Sequence, residues 1–202
     1  MIRPLLWLPL AALSLSPVAG KEKEALTERV AALHKLAGGE WCNMDDEFMP
    51  DQPIASWTFS YQPSWSDEVE PEEVTLFSVF CMAGAYNMSH AYYIYRKLDG
   101  LTPLAFAMPD VDPQYEGDSG IDGKLLSVPV VGMSTSLVLV NSDFDEETRT
   151  ITSYSKWRGL GDASSAGTWV FREGEFVLVR YEVDASYDGE FNPETVLDYT
   201  GT

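Results

Sequence analysis

Basic residues are scarce in this chain: 13 Lys and Arg stand against 32 Asp and Glu in 202 residues, for a formal charge of −19. Nucleic acid is bound by neutralising phosphates with Lys and Arg, so this balance excludes a nucleic-acid partner and argues against an anionic membrane surface. A basic envelope protein, a small ligand or a cation stays open, as does plain solubility, because high net charge keeps exported proteins apart with no partner involved. Long apolar runs are missing too. The one at residues 5–15 falls short of the ~20 needed to span a bilayer, and nothing after Lys21 offers a second. Histidine is limited to His34 and His90. A serine triad needs a histidine beside the serine and a carboxylate to orient it, and neither histidine stands in such a context. Gly117-Asp118-Ser119-Gly120, which spells the tetrapeptide around the nucleophile of trypsin-like proteases, is therefore a chance match, and no catalytic residue is assigned. Cysteine is limited to Cys42 and Cys81, without the paired short spacing of a zinc site.

What is present begins with an address. Arg3, the apolar run and the small-residue exit Val18-Ala19-Gly20 read as a secretory signal peptide cleaved after Gly20, giving a periplasmic or secreted protein. No cysteine follows the run until Cys42, which argues against a bacterial lipid anchor. In an oxidising compartment the even pair Cys42 and Cys81 is expected to join; two buried free thiols are the alternative. The link closes a loop of about 40 residues, for which the chain-entropy model gives about 4 kcal/mol.

After the leader (1–20), an N-terminal helix (21–39) and a single β-rich domain (40–202) are expected. Ala25, Leu26, Val30, Leu33 and Leu36 recur at spacings of three and four, and Gly38-Gly39 supplies a stop. The stripe should dock on the following sheet, with His34 at its surface boundary. From Trp57 onward short β-rich runs alternate with Gly, Pro, Asn and Asp, at 57–61, 74–82, 91–96, 104–108, 125–131, 137–140, 150–155, 168–172 and 175–183. The fold class is mainly β: an antiparallel meander, sandwich or barrel with one N-terminal amphipathic helix, since no crossover helices are available for a parallel sheet. The clearest hairpin joins 168–172 to 175–181 through Glu173-Gly174; a second joins 137–140 to 150–154 across an acidic turn. Residues 66–73 and 109–123 read as loops, and the chain after Phe191 as a surface tail.

Hard cations select clustered carboxylates, and two loops partly qualify for calcium. Asp118 and Asp122 occupy proper places in one, and Asn141, Asp143 and Asp145 alternate in the other, but neither completes the ligand set; both also read as hairpin turns. Paired carboxylates for hydrolysis of envelope sugars depend on a separation in space that no sequence shows. Arg149, Lys156, Arg158, Arg172 and Arg180 fall within residues 149–180 beside Trp157, Trp169, Phe171 and Tyr181. They suit either structural ion pairs around an aromatic core or an anionic or sugar-like ligand held by guanidinium forks and aromatic faces.

Two segments carry a resemblance. Lys156-Trp157-Arg158-Gly159-Leu160-Gly161-Asp162, followed by Gly167-Thr168-Trp169-Val170-Phe171, resembles the "kgRGlGDCG" segment and tryptophan-containing hairpin of the bacterial exported family called domain of unknown function 1176. Cys81-Met82-Ala83-Gly84-Ala85-Tyr86-Asn87 is similar to that family's "C-x-x-GAYN". The resemblance implies export and a mainly β domain but no catalytic residues. Where the family pattern has cysteines, this chain has Ala163 and the Tyr187-Asp188-Gly189 segment, consistent with a lost disulfide that leaves Cys42–Cys81. Lys156, Trp157, Arg158, Asp162, Arg172, Tyr86 and Asn87 are the ligand-binding candidates, with Arg158 and Asp162 able to pair across a glycine-opened turn. The expected function is a non-enzymatic binding or interaction module, inhibitor-like toward a basic partner. A carboxylate-dependent hydrolase and a structural calcium-binding domain are the alternatives.

Overall fold

The computed structural model describes residues 17–38, 42, 52–65 and 68–201, with backbone alone at 17–20. Most of the expected leader and the boundary at 39–40 lie outside the described residues. Helix α1 (Pro17–Gly38) precedes fourteen strands: β1 (Ala55–Tyr61), β2 (Glu72–Ala83), β3 (Met88–Arg96), β4 (Gly100–Pro103), β5 (Phe106–Val111), β6 (Gln114–Tyr115), β7 (Leu125–Ser127), β8 (Val130–Ser136), β9 (Val138–Val140), β10 (Asp143–Asp145), β11 (Thr150–Lys156), β12 (Ser164–Arg172), β13 (Glu175–Asp184) and β14 (Glu194–Asp198). They form two five-stranded antiparallel sheets and two ribbons. The first sheet runs β1-β2-β3-β4, with β9 also on β3; the second runs β10-β11-β12-β13-β14; β5 pairs with β8 and β6 with β7. Among the described residues no closed barrel forms. No described helix is long and apolar enough to cross a membrane.

Successive strand residues point to opposite faces, and β2 and β3 bury both. Val74, Leu76, Tyr92 and Ile94 face the second sheet and pack with Phe144, Ile151, Trp169 and Val183. Phe77, Val79, Ala91 and Tyr93 face the other way, under Leu26, Val30 and Leu33 of α1. Helix, sheet and sheet therefore stack as three layers. Edge-to-face contacts from Tyr92 to Phe106 (5.6 Å) and from Phe106 to Trp169 (5.5 Å) cross the core. A side chain at Gly167 would collide with the Trp169 indole, which explains the glycine inside β12. The indole nitrogen donates to the Ala107 carbonyl (3.1 Å).

Several expectations are corrected. His34 is fully buried, on the same face as Val30 one turn earlier, with Nδ1 2.9 Å from the Tyr93 hydroxyl. Burial lowers its pKa, with the Phe80 backbone in opposition. Segment 137–140 does not hairpin with β11: β9 bonds to β3, the chain turns at Asn141 (φ 42°), and β10 makes the hairpin. The expected tail contains β14, which extends the second sheet beside β13. The loop read at 109–123 contains the end of β5 and all of β6. The β12–β13 turn follows its reading, with Glu173 (φ 48°) and Gly174 (φ 88°) both left-handed as a type I′ turn requires.

Candidate functional site

The β2–β3 turn and the start of the β11–β12 turn are stitched together by two asparagines. Asn87 Nδ2 donates to the Lys156 carbonyl (2.8 Å), while its Oδ1 accepts from the Lys156 amide (3.2 Å) and from Asn141 Nδ2 (2.9 Å). Asn141 Nδ2 also donates to the Tyr154 carbonyl (2.9 Å), and its Oδ1 accepts from the Met88 amide (2.8 Å). Asn141 thus spends one donor on β11 and the other on Asn87 of the β2–β3 turn, and its acceptor on β3, joining the sheets at one end. Tyr86, 42% exposed, lays its ring over Gly159 and donates to the Trp157 carbonyl (3.3 Å). The two segments that carry the family resemblance are in direct contact.

Beyond Trp157 the chain closes a loop with its own bonds: the Trp157 amide donates to Ala163 (2.8 Å) and Tyr154 Oη to Gly161 (3.0 Å). Gly161 (φ 81°) supplies the left-handed turn. Arg158 Nε donates to Asp162 Oδ1 (2.7 Å), Nη2 pairs with Oδ2, and Nη2 also donates to the Tyr187 carbonyl (2.8 Å). The Gly189 amide donates to Asp162 Oδ2 (2.8 Å), and the guanidinium lies 5.3 Å from the Tyr187 ring centre. The Arg158 bonds hold the Asp162 carboxyl down at about 2, burial opposing and the Gly189 amide assisting. Arg158 is pushed up in turn by the Asp162 bond. These contacts join the Asp162-Ala163 and Tyr187–Gly189 segments.

Not every candidate reaches this place. Arg172 is exposed at the far end of β12 opposite Glu175, eight residues, or roughly 26 Å, along the strand from Ser164. Arg180 pairs with Glu182 (2.8 Å) and Asp198 (3.4 Å), and Arg149 stands 5.2 Å over Phe59. Arg180 is thus ion-paired, whereas Arg149 packs on an aromatic ring. Of the calcium candidates, Asn141 is taken by the sheet junction, and Asp145 Oδ1 caps the amides of Glu147 (2.8 Å) and Thr148 (3.0 Å). Asp143 is exposed on β10, and Asp118 and Asp122 are exposed around a short 3-10 turn. Among the described residues no group of three His, Cys, Asp or Glu side chains is placed to hold a metal. Cys42 and Cys81 are joined, tying the chain after α1 to β2.

Two open grooves flank the junction. One of about 610 Å³ is lined by residues 83–88 and Asn141. The other, about 570 Å³, lies between residues 121–125 and the 186–194 segment with Arg158 beside it. Sequence reading missed the second segment: its placement depends on the buried Asp184, which binds Ser186 (3.0 Å) and Asn192 (2.6 Å) amides and resembles any other acid in the chain.

A two-sheet antiparallel domain, with its motif turns locked together at one end, is the class these observations define. A family model described as "Protein of unknown function (DUF1176)" matches residues 68–190, and the chain belongs to that family. The match takes in both turns and leaves out α1, β1 and β14. A relative, the uncharacterized protein YpfG of Escherichia coli (strain K12), is 26% identical over 125 residues, which cover 61% of this chain and 31% of YpfG. The chain thus spans about a third of the curated relative it matches. No solved structure matches significantly.

Proposed function

We propose that the protein is an exported, non-enzymatic binding module that docks a basic envelope partner on the turn cluster around Tyr86, as an inhibitor of a cell-wall lytic enzyme would. The observation that carries this is a rigid junction displaying apolar side chains. Tyr86 (42% exposed) and Met88 (40%) line the 610 Å³ groove, and exposed Leu160 (72%) follows Gly159, against which the Tyr86 ring lies, while the asparagine lock holds the backbone of the turn. Presenting anchors from an ordered backbone lowers the entropy cost of association, and aromatic anchors dominate interface energies. The charge of −19 steers a basic partner toward it. Export rests on the leader reading, and the Cys42–Cys81 bond suits an oxidising compartment.

Residues 21–202, titrated calorimetrically into a basic peptidoglycan-cleaving enzyme such as lysozyme, test the proposal. Affinity should fall as salt rises, and Tyr86→Ala and Leu160→Ser should each weaken it ~30-fold, the scale of an interface hot spot. Equal binding by the variants, or no salt-sensitive binding to basic envelope enzymes, refutes it.

A further inference from the structure

The groove beside Arg158 is a separate feature with its own chemistry. At about 570 Å³ it has the size of a small-molecule site. Asp162 takes Nε and Nη2 of Arg158, and the Tyr187 carbonyl takes Nη2 again; among the described residues no acceptor takes Nη1, which sits on a side chain that is 42% exposed. Among the described residues no acid pairs with the Lys124 ammonium, which lines the same groove. Three carboxylates, Asp122, Asp188 and Glu194, also line it. The walls are set in advance: Asp162 fixes Gly189, Asp184 fixes Ser186 and Asn192, and a side chain at Gly123 would sit 2.5 Å from the Glu116 carbonyl.

This charge pattern discriminates among ligands. A simple anion satisfies Arg158 and Lys124 but meets three carboxylates and the field of a chain at −19. A simple cation meets the reverse conflict at Arg158, whose position its ion pair fixes. A molecule carrying both charges a few ångströms apart satisfies both sets, and three acids against two bases favour an extra ammonium group. We propose that the groove between residues 121–125 and 186–194 binds a free zwitterionic amino acid or short peptide bearing a second ammonium group, its carboxylate on Arg158 Nη1 and Lys124 and its ammonium groups on Asp122, Asp188 and Glu194. This site does not depend on the docking surface around Tyr86.

The probe is L-alanyl-L-lysine, followed by amide NMR on residues 21–202. Saturable shifts confined to 121–125, 158 and 186–194 are expected, with affinity falling about tenfold when the carboxylate is amidated and again when the α-amine is acetylated, the scale of one lost charge-assisted contact. Lys124→Met and Glu194→Gln, both outside the Arg158–Asp162 ion pair, should each weaken binding severalfold with the circular dichroism spectrum unchanged. Three results overturn the proposal: no saturable shift at ~10 mM dipeptide, well above the range of a specific site; equal binding of the amidated peptide; or unchanged binding in both variants.

Discussion

Asp162 shows how one carboxyl can organise a surface that the chain otherwise leaves in loops. Its oxygens accept from Arg158 and Gly189, so the charged form is bonded in the folded protein and solvated in the unfolded one. The folded pKa of about 2 lies below the usual 3.8. A depressed carboxyl contributes stability that is complete above its unfolded value and disappears as pH falls through its folded value. The stability gap between wild type and Asp162→Asn should therefore be constant above about pH 4 and close toward pH 2, as read from urea midpoints. A gap that persists unchanged at pH 2 would show that the ion pair is not its source. The Arg158–Asp162 pair was legible because its partners are four residues apart around glycines. The lock between Asn87 and Asn141 was not, because 54 residues separate them and only the fold of β3 and β9 brings them together. Asn141 drew notice as a calcium ligand for the same short polar side chain that lets it adopt a left-handed turn.

Elements were readable where local chemistry alone decided them. The β12–β13 hairpin has a two-residue turn with glycine in place, and β2 and β3 carry near-continuous apolar runs, broken in β2 by Thr75 and Ser78, because both their faces are buried. Strands β10 and β14 are three and five residues long, exist by pairing with a longer neighbour, and carry little pattern of their own. Helix α1 follows its stripe at Leu26, Val30 and Leu33 but leaves Leu36 exposed and buries His34 in the place a stripe residue would take. Its far end is held by the disulfide. Gly38 lets Cys42 approach, since any side chain there would collide with it, and Cys42 then bonds to Cys81 of β2. Cys42→Ser should cost up to about 4 kcal/mol by the chain-entropy estimate. In hydrogen exchange the amides of residues 26–34 should lose more protection than those of β12 and β13, because the link anchors the helix layer and not the second sheet. Uniform loss would show that the three layers unfold as one unit.

At the scale of the molecule, two sheets and a helix layer bury a core rich in aromatic side chains, and among the described residues Asp162 and Asp184 are the only buried acids. Buried Arg96 joins the layers, donating from β3 to the Gly174 carbonyl and reaching Glu175 (3.3 Å) on the β12–β13 hairpin. Among the described residues attractive pairs of this kind are few, and 13 bases cannot balance 32 acids, so the folded state compresses like charges that the unfolded chain spreads apart. Salt should then stabilise the fold. Raising NaCl from ~0.01 M to ~0.15 M shortens the screening length from ~30 Å to ~8 Å and should raise the melting temperature. The opposing loss from screened surface pairs is small, since exposed ion pairs contribute ~0–1 kcal/mol each. Calcium separates screening from a specific site. With Asn141 and Asp145 already bonded within the protein, CaCl2 and MgCl2 at matched ionic strength should raise the melting temperature equally. A further rise with calcium alone would instead assign a cation site, and Asp118→Asn and Asp122→Asn would then show whether it lies on the rim of the Arg158 groove.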